Sequence, residues 1–179
     1  MEKIVVNDTN VFIDLFNVDL LEEFFSLPWE VYTTDFVMLE LQREGQQTSV
    51  SNFVNTGQLN IPVFEPNELL EIGNIFQRYG SSTNLSYTDC SVWYYAKRNN
   101  YVLLTGDRKL RSASVYEGVE VHGIIYVLDQ LLAEGVISYQ SAIEKIQLLY
   151  ATNPRLPKEE IDKRLDFWKS EIAKKGGCQ

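Results

Sequence analysis

YVLLTGDRKLR, residues 101–111, is the stretch on which the fold turns. Its opening YVLLT is apolar and rich in strand formers, without the alternation of a half-exposed strand, and this predicts a strand buried on both faces. Thr105, Gly106 and Asp107 break the run, and DRKLRSASVY reads as a short helix. An acid just past the C-terminal end of a buried strand, and just before a helix, is a position where ligands gather in open α/β sheets.

Working outward, the same punctuation recurs. KIVVN (3–7) is a β-rich apolar run ending at Asp8, and VFIDLF (11–16) and LLEEFFSL (20–27) have helical spacing up to Pro28. WEVYT (29–33) predicts the second strand, and Asp35 is placed to cap a helix over FVMLELQRE that Gly45 stops. SVSNFVNTG (49–57) is helix-compatible, and LNIPVFE (59–65) predicts the third strand, which because of Pro62 either lies near an edge or begins after the proline. NELLEIGNIFQRY (67–79) is a helix closed by Gly80, and another runs from about Ser86 to Arg98, carrying Trp93 and Tyr94 on its buried stripe. VEVHG (119–123) predicts the fifth strand. Three helical stretches follow, 125–135, 138–151 and 156–175, the last opened by Pro157. Strands alternating with helices at this density predict an α/β class fold with a parallel sheet. The boundaries read as a domain over 1–135 and a C-terminal helical extension over 136–179, packed on the same domain.

Composition narrows the chemistry. The 179 residues are 45% hydrophobic and 23% charged, as in a soluble globular protein. No run approaches the roughly 18 apolar residues of a membrane span, and the start MEKIVVNDTN is too short and too soon polar for a secretory signal. A cytoplasmic protein is expected. Cys90 and Cys178 lie far apart with no metal spacing, Cys178 reading as a free terminal thiol, and His122 is the single histidine, which rules out a site that needs two, so no zinc site is expected. His122 reads as a structural residue. The net charge of −9 runs against a polyanion partner. Basic residues nevertheless bunch at Lys97-Arg98 and at Arg108-Lys109 with Arg111, and a divalent ion would invert the charge of clustered acids.

Four acids invite a site, and each has a plainer role beside it. Asp8, in VVNDTNVFID, could cap the first helix, as could Thr9 and Asn10. Glu40 borders an apolar stripe formed by Val37 and Leu41 and could face solvent, with Glu44 one turn on able to replace it. Asp89 completes the S-x-x-D of a capping box with Ser86. Asp107 could cap the helix that follows it, while Thr105 offers a hydroxyl and Gly106 a close backbone approach.

Taken in order, these blocks resemble the PIN-domain family from Val5 to about Leu132. Asp8-Thr9-Asn10-Val11 matches the acid after strand one, Glu40-Leu41 the helical E-L pair, and Leu85 to Asp89 the polar lead into a later helix. Thr105-Gly106-Asp107 with the basic Arg108-Lys109-Leu110-Arg111 matches the T-x-D strand end. The neighbours of Asp107 are basic where some members carry another acid, and Asp14 and Asp129 stay unassigned.

The resemblance implies a three-layer α/β/α PIN-like fold with a central, mainly parallel five-stranded sheet in the order 3-2-1-4-5. It implies a metal-dependent endoribonuclease using Mg²⁺ or Mn²⁺. Asp8, Asp89 and Asp107 would be ligands, Glu40 a ligand or a residue orienting the attacking water, and Asn10 and Thr105 their supports. Arg108, Lys109 and Lys97 are expected on phosphate and Tyr87 on an unpaired base of single-stranded or structured RNA. The size suggests a VapC-type toxin, with a small antitoxin protein and a homodimer as partners and no membrane. The alternative is a catalytically inactive PIN-like RNA-binding or protein-interaction module. A haloacid-dehalogenase-like phosphatase would need an acid where Asn10 stands, and a response-regulator receiver would need a lysine after strand five.

Overall fold

A computed structural model describes residues 3–43, 45–80 and 83–176. Glu44 and Cys178, weighed above, lie outside them.

The strands are β1 (Lys3–Asn7), β2 (Trp29–Tyr32), β3 (Leu59–Asn60), β4 (Val102–Leu104) and β5 (Val121–His122). They form a sheet in the order β3-β2-β1-β4-β5, and every pairing is parallel. Flanking helices complete the α/β/α PIN-like class expected from the sequence. The central position of β1 follows from its composition: Ile4, Val5 and Val6 are β-branched, and Val5 and Val6 are fully buried. The ladder runs past the strand ends. The Asp8 N–H donates to the Leu104 carbonyl at 3.0 Å and the Thr105 N–H to the His122 carbonyl at 2.9 Å.

The helices are α1 (Thr9–Asn17), α2 (Leu21–Phe25), α3 (Asp35–Glu40), α4 (Gln46–Asn55), α5 (Pro66–Ile75), α6 (Tyr87–Asn99), α7 (Arg108–Tyr116), α8 (Ile124–Ala133), α9 (Tyr139–Thr152) and α10 (Lys158–Gly176). Three expectations need correction. Helix α3 stops at Glu40, because Leu41 leaves helical geometry at ψ 79°, and its N-cap is Thr34 rather than Asp35. The Thr34 hydroxyl accepts the Val37 N–H, which puts Asp35 inside the first turn. The third strand keeps only two residues, since Pro62 has no N–H for a ladder. Helix α5 does not run on regularly to Gly80: it widens into a π-helical turn over Phe76–Gly80. Its start is a capping box between Glu65 and Glu68 with Pro66 at the first position.

By compactness the chain falls into two units, Met1–Ile13 with Pro28–Gly123, and Asp14–Leu27 with Ile124–Gln179. The first holds the sheet and the four acids. Its core includes Trp93 and Tyr94, 1% and 5% exposed, as their helical spacing predicts. The second unit gathers residues 14–27 and 124–135 with the C-terminal helices. There α9 packs on α8 and α10, and α2 on α8. Arg164 grips Asp129 with Nε and Nη2, the closest contact at 2.7 Å. The Lys145 ammonium donates to the Val18 and Asp19 carbonyls just past α1, where a helix end favours a cation. Asp14 is buried and accepts from the Asn153 amide at 3.2 and 3.3 Å. Burial pushes its carboxyl up to about 6, against the lowering effect of Asn153.

Candidate acidic site at the strand ends

Asp8 stands at the N-cap position of α1, but its carboxylate does not cap. Oδ1 accepts the adjacent Thr9 N–H at 2.7 Å, while Oδ2 accepts the Asn10 amide and the Thr105 hydroxyl, each at 2.7 Å. A cap would instead take the N–H groups two and three residues on. Asp8 is 2% exposed. Its carboxyl is pushed up to about 7, mainly by burial, with the Asp89 and Glu40 charges adding to the rise and the Thr105 and Thr9 donors opposing it.

Two residues from distant segments hold this carboxylate. Asn10 turns its amide nitrogen to Asp8 and its oxygen to the Gly106 N–H at 2.7 Å, locking α1 to the loop after β4. A Cβ at Gly106 would meet that oxygen at 3.1 Å, so the close approach read from the sequence is what the contact requires. Thr105 donates to Asp8 and accepts the Asp107 N–H at 3.0 Å. The line continues on the other side, where the Thr9 hydroxyl donates to Glu40 Oε2 at 2.8 Å. Glu40, Thr9, Asp8, Thr105 and Asp107 thus form one connected polar chain.

The remaining acids have the capping roles their sequence allowed. Asp89 forms the capping box with Ser86: its N–H donates to the Ser86 hydroxyl, and its Oδ2 accepts the Ser86 N–H at 2.7 Å and hydroxyl at 2.9 Å. Burial first, then the Asp107 and Glu40 charges, raise its carboxyl above the usual range, and the Ser86 bonds oppose that. Asp107 Oδ1 caps α7 through the Lys109 and Leu110 N–H groups, both at 2.8 Å. In Glu40, Asp89 and Asp107 alike, the second carboxylate oxygen accepts no hydrogen bond from the described residues. The Asp89 and Glu40 charges thus act on Asp8, those of Asp107 and Glu40 act on Asp89, and three of the four acids keep an oxygen available.

Among the described residues, no three Asp, Glu, His or Cys side chains are drawn close enough to form a ready-made metal cage. The donor set still fits a hard divalent ion in kind, being carboxylate, hydroxyl and amide oxygen without thiolate or imidazole. Capping uses only one oxygen of Asp89 and of Asp107.

Of the cationic and aromatic candidates, Arg108 and Lys109 are exposed beside Asp107. Lys97 is not brought there. It lies eight residues along α6 from Asp89, about 12 Å at the helical rise, and its ammonium pairs with Glu117 at 2.6 Å. Tyr87 sits edge-on to Phe36 and Phe76 and donates its hydroxyl to the Leu69 carbonyl at 3.0 Å. His122 pairs with Glu120 at 2.8 Å. Two contributors escaped the sequence reading. Thr9 carries the bond to Glu40, though its place beside Asp8 suggested only a cap. Arg111 clasps the Val121 and Thr105 carbonyls at the ends of β5 and β4 at 3.0 and 3.2 Å, and nothing in its basic run distinguished it from its neighbours.

The DUF3368 family model, described as a PIN domain, matches residues 4–170 of the chain. The chain belongs to the PIN-domain family. Among solved structures, this PIN domain is similar to PAE2754 from Pyrobaculum aerophilum at 17% identity, covering 74% of this chain and 99% of that one, with a TM-score of 0.50. It is also similar to VapBC2 from Rickettsia felis, bound to a DNA fragment from their promoter, at 15% identity, 67% and 98% coverage and a TM-score of 0.46. FitAcB from Neisseria gonorrhoeae follows at 16% identity, 65% and 95% coverage and 0.42. At these identities the likeness is one of fold. The chain matches none of the curated proteins.

Proposed function

We propose that this PIN domain is a metal-dependent endoribonuclease that hydrolyses phosphodiester bonds in RNA. The observation that carries the reading is the connected polar chain from Glu40 through Asp8 to Asp107, with Asp89 close enough for its charge to act on Asp8. Asp8, Asp89 and Asp107 would hold Mg²⁺ or Mn²⁺, which supplies an activated water and charge neutralisation at the phosphate. Thr105 and Asn10 orient Asp8 and fix the loop that carries Asp107. Glu40 ligates or orients the attacking water, held by Thr9. Arg108 and Lys109 bind phosphate beside Asp107.

Cleavage of single-stranded RNA by wild type, Asp8→Asn and Asp107→Asn, with Mn²⁺, with Mg²⁺ and with EDTA, tests this. The expected result is metal-dependent cleavage lost by at least 100-fold in both variants, in keeping with the loss of a charged group from the site. Metal-independent binding without cleavage would instead support a catalytically inactive RNA-binding or protein-interaction module. That second reading draws on the acids not being gathered into a cage.

Within the family we further propose a VapC-type toxin, cytoplasmic and dimeric, restrained by a small antitoxin protein. No described helix is long and apolar enough to cross a membrane. A small antitoxin reading frame immediately upstream of the gene, with co-purification of the two products, is the expected finding; a solitary gene whose product does not arrest growth contradicts it.

A further inference from the structure

From the residues that follow Asp107 runs a groove of about 680 Å³, lined by Tyr79, Asn84, Arg108, Lys109, Ser112 and Tyr116 among others. Arg108, Ser112 and Tyr116 recur every four residues and so share one face of α7. That face starts at Arg108, the residue after Asp107, and ends about 12 Å away at Tyr116. Tyr116 is 86% exposed, a large aromatic ring left in water at the groove's far end. Across the groove Tyr79 is held in place, its ring edge-on to Trp93 at 4.9 Å and its hydroxyl donated to Glu117 at 2.7 Å. The Arg78 guanidinium lies 5.4 Å from the Tyr79 ring.

The charge here is opposite to that of the chain. Glu117, the acid nearest this end, is already engaged by Lys97 and Tyr79. Arg108 and Lys109 make no ion pair with the described residues, although the chain carries a net −9. Cations followed by an exposed aromatic along one helix face is the arrangement that takes a single strand, phosphates on the charges and a base on the ring. A duplex keeps its base faces stacked internally and offers Tyr116 nothing to stack on.

We infer that this groove binds a few nucleotides of single-stranded RNA, with phosphates on Arg108 and Lys109 and a base stacked on Tyr116. The inference rests on the nuclease reading only for its direction, the strand running from Tyr116 toward the acids.

The test is fluorescence anisotropy of a short labelled oligouridylate in EDTA, so that no cleavage intervenes. Tyr116→Ala should weaken binding about fivefold or more, the loss of one stacked base. Arg108→Ala with Lys109→Ala should reduce the salt slope by about 1 to 1.5, two phosphate contacts on a single strand. Phe167→Ala, which removes an exposed aromatic on α10, should bind as wild type. Wild-type affinity in Tyr116→Ala, or duplex RNA bound as tightly as the single strand, overturns the inference. So does polyglutamate binding that needs Arg108 and Lys109 while Tyr116 is dispensable, which would mark a site for an acidic peptide. The two readings fail separately. Wild type that never cleaves, yet binds RNA through Tyr116, removes the nuclease and leaves the groove. Cleavage lost in Asp8→Asn but unchanged in KM by Tyr116→Ala does the reverse.

Discussion

Thr105 is the residue on which the site's geometry hinges, because one hydroxyl serves two acids: it donates to Asp8 and accepts the Asp107 N–H. Thr105→Val keeps the shape and removes both bonds. A lost buried hydrogen bond costs about 1 kcal/mol of stability, whereas loss of a residue that orients a ligand costs about 10- to 100-fold in activity or metal affinity. Denaturant titration and Mn²⁺ titration of the same variant should therefore diverge, with a small change in the first and a large one in the second. A large loss of stability with unchanged metal affinity would make Thr105 a core residue only. Asp8 adds a pH dependence. Its carboxyl sits at about 7, and a proton there competes with any cation. Metal affinity should rise as pH is raised through about 7, and Asp8→Asn should remove that rise, as calorimetric titrations at successive pH values would register.

Helices supply the other acids, and their caps are a separate function carried on the same side chains. Ser86 and Asp89 cap α6 reciprocally. Ser86→Ala should cost about 1 kcal/mol by denaturant unfolding and free Asp89 Oδ2 from its hydroxyl partner; a change within about 0.3 kcal/mol would show the cap to be idle. The same double use explains what the sequence could and could not reveal. The strand-one and strand-four signals, KIVVN-Asp8 and YVLLTG-Asp107, were legible because an acid that follows a buried apolar run stands at a strand end whatever else it does. The order of the sheet was legible only through family resemblance. Capping and ligation look identical in one dimension, since S-x-x-D is satisfied either way. The early end of α3 at Leu41 escaped because FVMLELQRE keeps a helical period through the break, and the two-residue β3 because alternation around Pro62 resembles a strand that the missing N–H prevents. Lys97 was misleading for a related reason: its helix was right, but eight residues of rise carry it to the far end, onto Glu117.

On the scale of the whole molecule, a buried acid only six residues past Asp8, but in the second compact unit, makes folding depend on pH. Asp14 is 4% exposed, and its folded carboxyl stands at about 6 against an ordinary 3.8. A raised carboxyl binds its proton more tightly in the folded state. Its relative contribution to stability is fully present below about pH 3.8, falls as pH rises through about 6 and is gone above that. The difference is on the order of 2–3 kcal/mol. Asp14→Asn, whose amide can pair with a turned Asn153, should flatten this part of the stability–pH profile and leave the protein more stable at pH 8. A variant less stable at pH 8, with the profile unchanged between pH 4 and 7, would refute it. The chain's net −9 makes the acid site's own demand sharper, since no surplus of basic residues offsets it. Four carboxylates at one edge of the sheet are tolerated by protonation of Asp8 or by a bound cation. Calorimetric titration of Mn²⁺ into wild type, Asp89→Asn and Asp107→Asn at pH 8 measures that choice directly. Saturable binding weakened at least tenfold in each variant is expected; equal binding in all three, or none in wild type, would contradict a shared metal site.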